Sequence, residues 1–209
     1  MRGFGKSSSP TEVITIKKIA DDTAEFMERL NAVPAYVVGI SMGGTIALQL
    51  SLDHPSLVGK LVLVNTFAIL HSKRFSSWMY FGLRFFMLHT LGLSAQARLV
   101  VRRLFPKSDQ GALREALYAQ IIQANPRAYR ATIRALVRFN VTSRLREIQA
   151  PTLVITGERD NTVPLEIQTE LTKGISSAKQ VIVPYAGHAV IAEQPEEFNR
   201  ILLDFLLFG

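Results

Sequence analysis

The chain has no cysteine among its 209 residues, which excludes disulfides, thiolate metal sites and a cysteine nucleophile. That composition fits a cytoplasmic location. Met1 to Pro10 is rich in glycine and serine and has no apolar core segment, so it does not read as a secretory signal. Long apolar runs are also missing. The nearest to the roughly 20 residues a spanning helix needs is Phe75 to Leu93, and Arg84 and His89 interrupt it. Acidic residues are scarce in one region: from His71 to Ile148 only Asp109, Glu115 and Glu147 stand against fourteen Lys or Arg. The net charge of +7 therefore belongs to one segment, and the remainder of the chain is slightly acidic.

What is present describes a folded chain. Hydrophobic residues make up 48% and charged residues 20%, which separates it from disordered sequences. Its length suits one core, or one core with a subdomain. Thr15 to Leu30 sets Ile16, Ile19, Phe26, Met27 and Leu30 at helical spacing, with Lys17, Lys18, Asp21, Asp22, Glu25 and Glu28 outside that face. Ala35 to Ile40, Lys60 to Asn65, Thr152 to Thr156 and Gln180 to Val183 are short and apolar on both faces, as buried parallel strands are. Pro195 to Phe208 reads as a helix turning Phe198, Ile201, Leu202, Phe205 and Leu206 inward. Strands alternating with helices predict an α/β parallel sheet with right-handed crossovers. From about Phe67 to Glu147 there is no strand signal. Its clearest helix, Arg127 to Asn140, has an apolar face of Tyr129, Ile133, Leu136 and Val137 and a basic ridge of Arg127, Arg130, Arg134 and Arg138.

Three loops carry the chemistry. Gly39-Ile40-Ser41-Met42-Gly43-Gly44 ends the first strand, and a helix-forming stretch from Thr45 to Leu52 follows. A serine hydroxyl is a weak nucleophile until a base takes its proton, and that base needs a group to orient it. Thr156-Gly157-Glu158-Arg159-Asp160-Asn161-Thr162-Val163-Pro164 supplies an acid after the third strand, and Tyr185-Ala186-Gly187-His188 a histidine after the fourth. Each residue has a plainer reading. Ser41 is then an ordinary turn residue, Asp160 a cap on the helix that Pro164 opens, and His188 a loop histidine. Glu158 is the substitute acid. His54 reads as structural, and His71 and His89 lie in the long insertion.

G-x-S-x-G between strand and helix resembles the nucleophile elbow of the α/β-hydrolase family, and the order Ser, Asp, His is that family's order. The strings G-E-R-D-N-T-V-P and A-G-H-A-V-I-A-E-Q-P-E-E-F-N resemble its acid and histidine loops, so the resemblance covers essentially the whole chain. It implies an α/β-hydrolase sheet with helices on both faces, built from residues 1–66 and 148–209, with a helical cap over 67–147. It also implies a catalytic triad of Ser41, Asp160 and His188, an oxyanion donor at the Met42 backbone N–H, and no metal or organic cofactor. Both glycines flanking Ser41 are expected because a Cβ there would collide with neighbouring helix and strand. The expected activity is hydrolysis of a small-molecule carboxylic ester. Lactone, thioester, C–C-bond and cofactor-free haloperoxidase-like chemistry are alternatives, and so is a non-catalytic binding module.

Met1-Arg2-Gly3-Phe4-Gly5-Lys6-Ser7-Ser8 resembles the D-x-R-G-x-G-x-S loop that follows the fourth strand in family members. On that alignment the N-terminal half of the sheet is expected to be missing, together with the H-G loop that gives a second oxyanion donor. The favoured explanation is a misplaced start codon, with a covered edge or a weakened enzyme as the others. Ala35 to Ile40 then becomes an apolar sheet edge through which a homo-oligomer is expected. In the cap, Phe75, Trp78, Met79, Tyr80, Phe81, Phe85, Phe86 and Met87 crowd beside basic residues. They read as the roof of an acyl pocket, or as a surface for anionic membrane. Nucleic acid is not an expected partner, because no recognition motif accompanies the charge.

Overall fold

Four apolar stretches pair into one parallel sheet in the computed structural model, which describes residues 1–7, 13–70, 82–83, 86–87 and 90–209. The strands are β1 (Ala35–Ile40), β2 (Val58–Val64), β3 (Thr152–Gly157) and β4 (Ala178–Val183), and their spatial order is their chain order. Every pairing is parallel, with Val38 opposite Val62, Val62 opposite Leu153 and Leu153 opposite Lys179. Leu61 to Val64 and all of β3 are buried, which is why neither strand shows alternation in its sequence. β1 is outermost. Tyr36 and Val38 on it are 56% and 40% exposed, and the expected contact between copies would use this edge.

The chain forms two compact units, Thr15–Leu70 with Leu136–Gly209, and Met1–Ile14 with His71–Ala135. The first unit contains the sheet. Its helices are α1 (Ile16–Arg29) and α2 (Met42–Asp53) before β2, α6 (Leu165–Gly174) between β3 and β4, and α7 (Val190–Glu193) and α8 (Pro195–Phe208) after β4. Val62, Val64, Leu153, Ile155 and Val183 point to one face and pack against Phe198 and Ile201 of α8. Thr156, on the opposite face of β3, bonds Gln168 of α6. Helices therefore cover both faces. The second unit contains α3 (Gly92–Leu104) and α4 (Gly111–Ile122), and α5 (Pro126–Arg138) begins in it. Leu93 and Ala124 are buried there with Phe4, Ile121, Tyr129 and Ile133 packed on them. Among the described residues no helix is long and apolar enough to cross a membrane.

Two expected faces are rotated. α1 buries Ile16, Ile19, Ala20, Ala24 and Met27, while Phe26 is 62% exposed and Leu30 59%. The buried stripe of α1 therefore runs through the small side chains of Ala20 and Ala24, which let the helix pack closely, rather than through Phe26 and Leu30. On α5 the buried residues are Ala128, Thr132 and Ala135, and Val137 is exposed. α2 begins at Met42, directly after Ser41, rather than at Thr45. The aromatic cluster expected to touch a membrane lies mostly outside the described residues, as do His71 and His89; of it only Phe86 and Met87 are described.

One charged knot ties the sheet unit together. Asp53, at the end of α2, accepts from Gln49 Nε2 at 2.6 Å, Lys17 Nζ at 3.2 Å and Arg144 Nη1 at 2.9 Å. It joins α1, α2 and the Thr142–Glu147 turn. Burial pushes the Asp53 carboxyl up, but the bonds from Arg144, Gln49 and Lys17 outweigh it and hold the group below its ordinary 3.8. A carboxyl depressed in the folded state stabilises above its ordinary value and loses that contribution as pH falls through the folded value. Asp53→Asn is expected to cost about 1 kcal/mol at pH 7, after allowing for solvent screening. The deficit should shrink below about pH 4, as read by urea unfolding at both pH values.

Candidate active site

The turn at Ser41 is set by how closely α2 approaches β1. A Cβ on Gly39 would lie 2.5 Å from the Gly43 carbonyl oxygen and 2.7 Å from Gly44 Cα, both backbone atoms that cannot step aside. A Cβ on Gly44 would lie 2.5 Å from the Thr66 side chain. Gly43 has open space instead. The second glycine of the motif is therefore not the one the packing demands, a correction to the expectation that both flanking glycines are sterically fixed. Gly44 holds that place because it faces Thr66 just beyond β2. Ser41 itself sits at φ 50°, ψ −115°, a region costing a non-glycine residue about 1–3 kcal/mol. Ser41 N donates to Val64 O at 2.8 Å, and Ser41 O accepts from Gly44 N at 2.9 Å and Thr66 Oγ1 at 2.7 Å.

The structure brings Ser41, His188 and Asp160 into one line. His188 Nε2 lies 2.9 Å from Ser41 Oγ, and His188 Nδ1 lies 2.8 Å from Asp160 Oδ2. Asp160 and His188 are each 7% exposed. The Asp160 carboxylate accepts only, so Nδ1 carries the proton and Nε2 is the lone pair facing the serine. Asp160 Oδ1 accepts from Thr162 N at 2.7 Å and Val163 N at 2.9 Å. Its capping bonds and its bond to His188 thus coexist on different oxygens. Glu158 does not face His188; its Oε2 accepts from Tyr185 N at 2.8 Å. His54 Nε2 lies 3.0 Å from Asp21 Oδ1, between α1 and α2. Among the described residues no three His, Asp or Glu side chains are grouped to hold a metal ion.

Several supporting residues give little sign of themselves in the sequence. Asn65 follows β2 at φ 47° and is fully buried. Its Oδ1 accepts from Gly157 N at 2.8 Å, and its Nδ2 donates to Gly187 O at 3.1 Å and His188 O at 2.7 Å. One side chain therefore fixes the acid loop against the histidine loop. Glu193 Oε2 accepts from Gly187 N at 3.2 Å. The one sequence signal for Asn65 is a polar residue closing an apolar strand.

A family model described as the alpha/beta hydrolase fold matches residues 1–195. The chain belongs to the α/β-hydrolase family. A relative from Caulobacter sp. (strain K31), named "Putative carbamate hydrolase RutD", is 32% identical over 213 residues, covering 98% of this chain and 78% of the relative. A hydrolase from Pseudomonas aeruginosa PA01 superposes with a TM-score of 0.88 at 27% identity, covering 99% of this chain and 77% of that one. The enol-lactonase from Burkholderia xenovorans LB400 gives 0.87 at 25% identity, covering 98% and 78%. The expectation that this α/β hydrolase lacks its N-terminal strands is not borne out by these comparisons, in which the family model matches residues 1–195 and the relatives align over 98% or more of this chain.

The glycines of the elbow make a sharp comparison. Gly43→Ala is expected to leave stability unchanged or raise it by up to about 1 kcal/mol, since a helical glycine loses more entropy than alanine. Gly39→Ala should cost about 2 kcal/mol or more, because backbone must move. Urea denaturation of the two variants reads the difference.

Proposed function

We propose that the chain is a serine hydrolase that cleaves carboxylic esters through an acyl-enzyme on Ser41. The observation that carries this reading is the unbroken contact from Ser41 Oγ through His188 to Asp160, at 2.9 and 2.8 Å. In the first half-reaction Ser41 Oγ attacks the ester carbonyl while His188 Nε2 takes its proton. Asp160 Oδ2, bonded to Nδ1–H, holds the tautomer and stabilises the imidazolium. Met42 N is the first amide of α2, where a helix has no internal acceptor to offer. It is the donor we assign to the oxyanion, a contribution commonly worth about 3 kcal/mol. His188 then passes its proton to the departing alcohol. In the second half-reaction His188 takes a proton from water, the hydroxide attacks the acyl carbon, and Ser41 leaves with its proton restored from His188.

A carbamate is the second reading, favoured by the relatives at 32% identity that are named as carbamate hydrolases. The same residues act on it, but nitrogen donation into the carbonyl slows attack and slows release of the carbamoyl-serine. Hydrolysis of p-nitrophenyl acetate should therefore be sustained. A p-nitrophenyl carbamate should give a burst followed by slow turnover if the ester reading holds, and sustained turnover if the carbamate reading does. Ser41→Ala is expected to lower turnover of either by at least about 10⁴-fold and to abolish the single fluorophosphonate adduct seen by intact mass. A folded wild-type chain with no turnover and no adduct would favour a non-catalytic module.

A further inference from the structure

α6 packs one amide side chain into an otherwise closed interface. Gln168 is fully buried, as are Thr156 on the facing strand and Leu171 one turn along the same helix. A buried amide is costly unless its donors and acceptor are all used. Gln168 uses both ends. Its Nε2 donates to Val163 O at 2.9 Å and to Asp160 Oδ2 at 3.3 Å, and its Oε1 accepts from Thr156 Oγ1 at 3.0 Å. The orientation of the amide follows from the partners, since a carbonyl and a carboxylate accept only.

The bonds continue outward with one polarity. Thr156 spends its single proton on Gln168, so its oxygen accepts from Gln180 Nε2, at 3.0 Å. Gln180 Oε1 in turn accepts from Thr169 Oγ1 at 3.3 Å. Thr169, Gln180, Thr156 and Gln168 each direct one donor along the chain toward Asp160, the other Gln168 donor going to Val163 O, and aligned chains of this kind polarise one another in a buried setting. The chain ends on Oδ2, the oxygen that His188 Nδ1 uses; the backbone amides of Thr162 and Val163 hold only Oδ1.

We infer that Gln168, held by Thr156, is a positioning residue that sets the carboxylate plane of Asp160 and directs Oδ2 at His188. It acts through Asp160 and touches no substrate. With Gln168 gone, the carboxylate is free to turn about the Oδ1 bonds and Oδ2 has one fewer donor. The consequence for hydrolysis rests on the ester reading given above; the consequence for the Asp160–His188 bond does not.

The test compares wild type, Gln168→Leu and Thr156→Val, each checked for folding by thermal melting. Two readouts are used: p-nitrophenyl acetate kinetics, and the low-field Nδ1 proton resonance of His188 in ¹⁵N-histidine-labelled protein. We expect Gln168→Leu to lower kcat about tenfold with KM within twofold and to move or broaden the resonance. Thr156→Val, which keeps Gln168 but frees its Oε1, should shift both in the same direction by less. Unchanged kcat and an unchanged resonance in folded Gln168→Leu would overturn the inference and leave Gln168 as packing. If Gln168→Leu does not fold, Thr156→Val decides by the same two readouts. If wild type shows no turnover but the resonance is present and moves in the variants, the positioning role stands and the hydrolase reading fails.

Discussion

Ser41 keeps a backbone conformation at φ 50° that an isolated serine would leave at once, and the surrounding architecture depends on that constraint. The turn persists because α2 lies close enough to β1 for its Gly43 carbonyl and Gly44 Cα to occupy the space a Cβ at position 39 would need. Ser41 N and O are both bonded, to Val64 O and to Gly44 N and Thr66 Oγ1. Those bonds and the burial around them offset a strain of about 1–3 kcal/mol. The outcome is a hydroxyl lifted off the strand end toward His188, with the first amides of a helix beside it.

The other half of the site is held by polar side chains acting across the sheet's edge of loops. Asn65 reaches from β2 to Gly157 and to the carbonyls of Gly187 and His188. Asp160 divides its oxygens, one held by backbone amides and one shared by His188 and Gln168. The buried side chains of Asn65, Asp160 and Gln168 each bond groups that are themselves fixed, which is how a low-dielectric interior supports a charged acid without disorder. The histidine loop is tightened further by Glu193 on Gly187 and by Tyr185 at φ 61°, whose ring lies under the Arg159 guanidinium at 4.7 Å.

The positive charge follows the division into units. Most of the basic residues fall between His71 and Ile148, in or beside the helical unit. Arg144 is an exception in role. It returns to the sheet unit and bonds Asp53, so its charge is spent on structure. The α5 arginines, Arg127, Arg134 and Arg138, stay exposed. Such charge bears on solubility and association rather than on fold.

The sequence by itself determined the strands, the elbow, the acid and histidine loops and the family. These are short-range patterns: continuous apolar runs, a serine between glycines, an aspartate and a histidine just past strand ends. Ser41, Asp160 and His188 were legible because each stands at a fixed offset from a strand. Their joining was not, since Ser41 meets His188 across 147 positions. Tertiary structure alone decided that Gly44 rather than Gly43 is the crowded glycine, that Phe26 and Leu30 face outward, and that Asn65 and Gln168 serve the site. Asn65 reaches partners 92 and 123 residues away, and Gln168 differs from any surface glutamine only in where α6 lands on β3. Local chain sterics are written in neighbouring residues, whereas the partners of a buried polar group are chosen by packing.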